Sequence, residues 1–325
     1  MNDVNAPKVV AFGGGHGLSA SLEALRSLTP ELTAVVTVAD DGGSSGRLRN
    51  ELGVLPPGDL RMALASLTDA DDWHQLWARL FQHRFPGEGE LGGHAVGNLV
   101  MTALVDLLGD PVAALDASSR LLGVRGRVLP LSTQPLEIVA DVVGLDHDDP
   151  GAAVEVRGQV AVATTAGQVV RVRLEPEDPS GCTDAVESIG AADWAVLGPG
   201  SWFTSVIPHL LVPDVAKAIT QTSARRLVAL NLSPQPGETD GFSPTTHLEV
   251  LAAHAPELDI DVVLADESSV VAGEDELRDC ASALGARLVV RNIARDDGTP
   301  RHDPKKLAVA YDEIFVTDEG DNAWR

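Results

Sequence analysis

A chain of 325 residues, 44% of them apolar, is long enough to bury the core of one large α/β domain with a smaller inserted element. Forty-eight acidic residues against 24 basic ones leave a formal charge of −24, which excludes non-specific attachment to nucleic acid or to anionic membranes, because both need an excess of Lys and Arg. Cys182 and Cys280 stand far apart with no Cys/His partners at metal spacing, which excludes a disulfide framework and a zinc module and suits a reducing compartment.

In chain order, residues 1–7 are polar and the apolar run 9–12 breaks at once into glycine, unlike a signal peptide. Strands are predicted over 8–12, 33–39, 194–197, 226–231, 260–264 and 287–291, where short β-branched or apolar runs recur. Between them, helical periodicity predicts helices over 18–28, 60–67, 74–82, 95–108, 111–122, 215–223, 246–254 and 274–284, with a closing helix over 305–315. The stretch 95–108, interrupted by Asn98 and Asp106, is too short to span a bilayer, so a cytoplasmic protein with no membrane insertion is expected. Residues 127–175 read differently: alternating segments over 154–164 and 168–174, separated by Gly and Asp clusters, predict an antiparallel hairpin insertion. Strands alternating with crossover helices predict one Rossmann-like α/β domain over 1–325, a mainly parallel sheet with flanking helices and that small antiparallel β insertion.

Four glycine-rich segments fall at strand ends or helix starts. Gly13-Gly14-Gly15-His16-Gly17 lies between the first strand and the first helix, where backbone N–H groups meet a phosphate at the positive end of a helix dipole. Leu18 occupies the place of the third glycine of the dinucleotide fingerprint, so ordinary NAD binding does not follow. After the second strand, Asp40 and Asp41 precede Gly42-Gly43-Ser44-Ser45-Gly46-Arg47; the carboxylates can bind ribose hydroxyls, hold Mg2+ on a diphosphate, act as a base, or merely close a turn. Asp59, in Pro56-Pro57-Gly58-Asp59, reads equally as a helix cap and as a ligand contact. Asn98, in the first turn of the helix after Gly92-Gly93-His94, can bond a base or sugar or serve as a buried cap. Gly198-Pro199-Gly200-Ser201 forms a second anion-binding turn, and two such turns suit a ligand with more than one phosphate. Trp202 and Phe203 beyond it can stack a base or fill the core. Asn231 and the loop 236–241 complete the rim. In so acidic a chain the cations near these segments, Arg47, Arg49, Arg61 and Arg301, are the candidate anion partners, with Arg301 ahead of a helix start at Asp303-Pro304.

The ordered segments "VVAFGGGHGLS", "VTVADDGGSSGRLR", "LGVLPPGDLR", "HRFPGEGELGGHAVGN", "RGRVLPLS", "LGPGSWFTSVIPHLLVP" and "NLSPQPGETDGF" closely resemble the gluconeogenesis factor family, the YvcK/CuvA type of the CofD-like group. The resemblance runs to about Asp266 and resumes at "RHDPKKLA". It implies a Rossmann-like fold and binding of UDP-sugars such as UDP-N-acetylglucosamine or UDP-glucose, without established turnover. It also implies a role in cell morphogenesis and envelope synthesis during gluconeogenic growth, with homo-oligomer formation and cell-wall-synthesis regulatory partners as expectations. His16 replaces a common Thr of the first loop, His209 replaces a common Asn, and Arg301 matches a family arginine implicated in nucleotide-sugar binding. The ligand set so expected is Gly13, Gly14, Gly15, His16, Gly17, Asp40, Asp41, Ser44, Asn98, Gly198, Gly200, Ser201, His209, Asn231 and Arg301. Related CofD-type proteins transfer a phospholactyl group from a nucleotide-activated donor to a deazaflavin; in that enzymatic alternative Asp40 and Asp41 would position Mg2+ on the diphosphate.

Overall fold

The computed structural model describes residues 6–322. Ten strands form: β1 Val9–Gly13, β2 Leu32–Val36, β3 Arg127–Pro130, β4 Glu137–Val143, β5 Val154–Arg157, β6 Gln168–Glu175, β7 Trp194–Leu197, β8 Arg225–Ala229, β9 Val262–Asp266 and β10 Arg287–Arg291. Seven of them make one sheet in the order β10-β9-β8-β7-β1-β2-β3, every pairing parallel. Helices cover both faces, so β1, β7 and β9 are buried along their whole length and read as continuous apolar runs instead of alternating ones. The chain enters at β1, winds outward through β2 and β3, then returns to β7 and winds outward the other way. The strand order therefore reverses between β1 and β7, and a crevice opens there beyond the carboxyl ends.

On one face the helix Gly15–Leu25 packs against Pro304–Asn322, with Ser21 Oγ and Tyr311 OH 3.0 Å apart in the buried seam. Beyond β2 the helices Pro57–Leu67, Asp72–Gln82, Val96–Leu108 and Pro111–Leu122 form a second cluster. Six strands stand where periodicity predicts them, within a few residues at each end. Thr37 to Ala39 leave the expected second strand, which ends at Val36.

The expected hairpin over 127–175 is different in detail. Its first piece, β3, is the edge of the main parallel sheet, in register from Thr33↔Arg127 to Val36↔Pro130. The rest is a three-stranded antiparallel sheet in the order β5-β4-β6, not a two-stranded hairpin. The segment 154–164 is one short strand followed by the helix Gln159–Ala163, because Gly158, at φ +89°, turns the chain out of the sheet. The helices Gly43–Leu52 and Thr183–Gly190, the single turn Pro208–Leu211 and the π-helical turn Trp202–Val206 have no counterpart in the sequence reading. The first lies in a glycine- and serine-rich stretch whose local propensity favours turns, and tertiary packing overrides it.

Candidate functional site

The crevice at the switch point encloses about 480 Å³, within the range of small-molecule sites. Its floor is the turn from β1 into the helix Gly15–Leu25. Gly15 adopts φ +59° with open space where a Cβ would stand, so the chain can present its amides outward. Gly14 and Gly17 are glycine for another reason. A Cβ on Gly14 would lie 2.4 Å from Asp59 Oδ2, and one on Gly17 would lie 2.3 Å from the Pro199 carbonyl oxygen. The two glycine turns, after β1 and after β7, thus press directly on each other. His16 is exposed on the crevice wall beside them. Of the first-turn amides, that of Gly15 is taken by Asp59, and those of His16 and Gly17, both lining the opening, are the unsatisfied donors of a helix start.

The second turn is held by protein. Asn231 Oδ1 accepts the Gly200 N–H at 3.0 Å, and its Nδ2 donates to the Gly200 carbonyl at 2.8 Å. A wide π-helical turn, Trp202–Val206, follows Ser201, and the buried Glu238 carboxylate accepts its Phe203 and Thr204 N–H groups at 2.8 and 2.9 Å. Burial pushes the Glu238 carboxyl above its usual range. Gly200, Phe203 and Thr204 therefore spend their amides inside the protein, and the second turn shapes the wall while the first supplies the free donors. Trp202 and Phe203 are fully buried in the core.

Asp59, at the N-terminus of Pro57–Leu67, lies under the first turn. Burial and the neighbouring Asp40 raise its pKa to about 7, against the lowering effects of the Gly15 N–H that it accepts and of Arg61. Asp40 also accepts the Gly42 N–H at 2.9 Å. Asp41 turns away: its Oδ1 accepts the Val160 N–H at 2.9 Å and fastens the short insertion helix. Ser44 and Asn98 join a buried chain in which Asn98 Nδ2 donates to Ser44 Oγ, Ser44 Oγ meets His94 Nδ1, and Arg61 Nε donates to Asn98 Oδ1, all at 2.8 to 2.9 Å. This chain ties three helices together beside the crevice. Burial lowers the Arg61 pKa to about 10.

The rim opposite the first turn comes from the segment after β10. Asp266, at the end of β9, accepts the Ile293 and Ala294 N–H groups at 2.7 and 3.0 Å and so anchors the loop that carries Arg295 and Arg301 into the crevice lining. Arg301 is exposed, whereas His302 beneath it is buried and held neutral, its pKa lowered by desolvation to about 4. Arg295 escaped the sequence reading because it sits in the stretch without motifs; only the tertiary anchor at Asp266 places it.

The structure therefore gathers Gly14, Gly15, His16, Gly17, Gly200, Ser201, Asn231 and Arg301 around one opening. Gly13 and Gly198 end β1 and follow β7 just behind it. His209 lies apart: fully buried, it donates Nε2–H to the Val35 carbonyl at 3.0 Å and packs edge-on against Phe12, and desolvation lowers its pKa to about 4. Of the candidate cations, Arg47 donates to the Glu90 and Gly92 carbonyls and Arg49 to Leu136, so both brace loops. Among the described residues no cluster of three or more His, Cys, Asp or Glu is placed to hold a metal. No helix of the described residues is long and apolar enough to cross a membrane.

This architecture defines a doubly wound α/β protein with a glycine-turn crevice at its switch point. The chain belongs to the CofD-like gluconeogenesis factor family. A family model described as 2-phospho-L-lactate transferase CofD matches residues 9–288. A protein of Mycobacterium tuberculosis (strain CDC 1551 / Oshkosh) named "Putative gluconeogenesis factor" is 55% identical over 314 residues, covering 96% of this chain and 91% of that one. The gluconeogenesis factor of Listeria innocua is 36% identical, covering 95% and 96%. A crystal structure of a UPF0052-family protein from Bacillus halodurans superposes with a TM-score of 0.82 at 35% identity, covering 94% of this chain and 99% of that one.

Proposed function

We propose that this chain is a cytoplasmic UDP-sugar-binding protein that supports cell morphogenesis and envelope synthesis during gluconeogenic growth, and that UDP-N-acetylglucosamine or UDP-glucose occupies the switch-point crevice. The observation that carries the reading is the opposition, across one opening, of the helix-start amides of His16 and Gly17 and the side chains of Arg295 and Arg301. A diphosphate matches that pair: backbone N–H groups hold one phosphate and a planar guanidinium grips the other. In a chain of charge −24 such a concentration of donors serves an anion. The nucleoside and sugar then extend along the polar walls formed by Ser201, Asn231, Gln235 and Gln159.

Asp40 and Asp59 bear on a second reading. Two neighbouring carboxylates next to a phosphate site suit Mg2+, which takes one or two carboxylates and completes its shell with phosphate oxygens and water. With a nucleotide-activated donor bound, that ion would neutralise charge on the donor's diphosphate as its P–O–P bond breaks, the phospholactyl group passing to the acceptor hydroxyl and a nucleoside monophosphate leaving, a transfer of the kind for which the matching family model is described. Asp41, engaged with Val160, would take no part.

Thermal melting of the purified chain with UDP-N-acetylglucosamine, UDP-glucose, GDP, GTP or NAD, with and without a deazaflavin and Mg2+, separates these readings. Stabilisation by UDP-sugars without product supports the binding role. Phospholactyl-deazaflavin formation from a nucleotide-activated phospholactate supports the transferase, and no shift at millimolar UDP-sugar contradicts the main proposal.

A further inference from the structure

Two glutamines on the crevice wall hold hydrogen-bond acceptors that the protein itself does not use. Gln159 opens the short helix Gln159–Ala163 of the insertion, Gln235 lies in the loop after β8, and both line the switch-point crevice. Each residue is half-buried, and the side-chain oxygen of each is sealed from solvent with no hydrogen-bond donor among the described residues. A buried acceptor left unmade forfeits its hydration with nothing in return, so two that line one opening point to donors that enter through it.

Both side chains are held in place by their surroundings. Gln235 Nε2 donates to Ser201 Oγ at 3.2 Å and the Gln235 backbone N–H donates to Thr239 Oγ1 at 2.8 Å, which leaves the Gln235 side-chain oxygen as the spare group. Gln159 is brought in by Asp41. Asp41 Oδ1 accepts the Val160 N–H at 2.9 Å, and a Cβ on Gly158 would overlap Asp41 Oδ2, so the turn out of β5 closes tightly over that carboxylate. A Cβ on Gly237 would overlap the Ala163 carbonyl oxygen, so the loop that carries Gln235 presses on the other end of the same helix. The insertion helix is thus clamped between two loops, with both glutamines facing one opening.

Two spare acceptors on separate elements call for two donors on the bound molecule. Uracil presents a single N–H donor, whereas neighbouring hydroxyls of a sugar present one each and can accept bonds in return. Guanine, with its N1–H and N2–H donors, is the competing group. We propose that Gln159 and Gln235 read sugar hydroxyls of the bound nucleotide sugar, and that Asp41 is a positioning residue acting through Gln159. This rests on the UDP-sugar reading of the crevice. It gives the antiparallel insertion a task, since the insertion supplies one member of the pair and the parallel sheet the other.

Calorimetric titration of the full chain, with circular dichroism as the folding control, tests this. Gln159→Ala and Gln235→Ala are each expected to lower the affinity for UDP-glucose by about three- to tenfold, the effect of one lost hydrogen bond. Asp41→Ala should lower it by the same factor and add little where Gln159→Ala is already present, whereas Asp41→Asn, which keeps the Oδ1 acceptor, should stay near the parent. A loss seen with UDP-glucose and absent with UDP places the pair on the hexose; a loss seen with UDP and absent with 2′,3′-dideoxy-UDP places it on the ribose. Either glutamine variant within about twofold of the parent, a loss that persists with 2′,3′-dideoxy-UDP, or Asp41→Ala and Gln159→Ala losses that multiply would each overturn the proposal while leaving UDP-sugar binding standing. A parent chain that binds GDP and not UDP-glucose would remove the UDP-sugar reading itself, and this subsite with it.

Discussion

Asp59 is the residue on which the site's chemistry turns. Its carboxyl occupies the underside of the turn to which we assign a phosphate, and its pKa is pushed up to about 7 in the folded protein, far above the ordinary carboxylate range. A carboxyl whose folded pKa is raised adds stability while both states are protonated and loses it as pH climbs from its unfolded value through the folded one. The parent protein therefore loses this contribution between about pH 4 and pH 7. Asp59→Asn, neutral throughout, is expected to be more stable than the parent by roughly 2 kcal/mol or more near pH 8 and equal to it near pH 4, as measured by urea unfolding. A difference that does not change with pH would show that Asp59 is not held as described. An anionic ligand should also favour the protonated form, so its affinity should rise below pH 7 with uptake of a proton.

At the scale of elements, the close contact of the two glycine turns explains why the crevice has a fixed width. Gly17→Ala places a methyl group against the Pro199 carbonyl, a backbone atom that cannot step aside, so the turn after β1 and the turn after β7 must separate. A cost of about 1 to 3 kcal/mol in stability is expected, with ligand affinity falling further than stability; a neutral substitution would contradict the contact. The first turn was legible in the sequence because strand, glycines and helix follow one another within a dozen residues. Asn231 was also legible as a rim residue, although it braces the Gly200 turn from inside. Asp41 and His209 were harder to place. An Asp-Asp-Gly-Gly string does not reveal that its second carboxylate is taken by an insertion helix 119 residues away. A histidine in "IPHLL" does not reveal that its ring reaches the Val35 carbonyl, 174 residues distant. Both depend on long-range packing, which local pattern does not encode. The helix Gly43–Leu52 escaped for the same reason, as did the central strand of the insertion, Glu137–Val143, which pairs with both of its neighbours, and the turn at Gly158 that shortens one of them.

For the whole molecule, the strand order accounts for the assembly of the site. The first turn, the second turn and the arginine rim come from residues near 15, 200 and 300, and they meet because the sheet begins at its centre and winds outward in both directions. A ligand bridging the turn after β1 and the rim after β10 ties together segments from both halves of the sheet, and by mass action it is expected to stabilise the native fold by about 2.7 kcal/mol at a hundred times its dissociation constant. Arg301 separates this account from a merely structural crevice, since it is exposed and its removal leaves the core untouched. Calorimetric titration of UDP-N-acetylglucosamine into the parent chain and into Arg301→Ala tests the claim most directly. The account predicts a saturable heat for the parent and a loss of about 1.5 to 3 kcal/mol, tenfold or more, in the variant, only partly recovered by Arg301→Lys. No binding to the parent chain, or a variant within about twofold of it, would contradict the account.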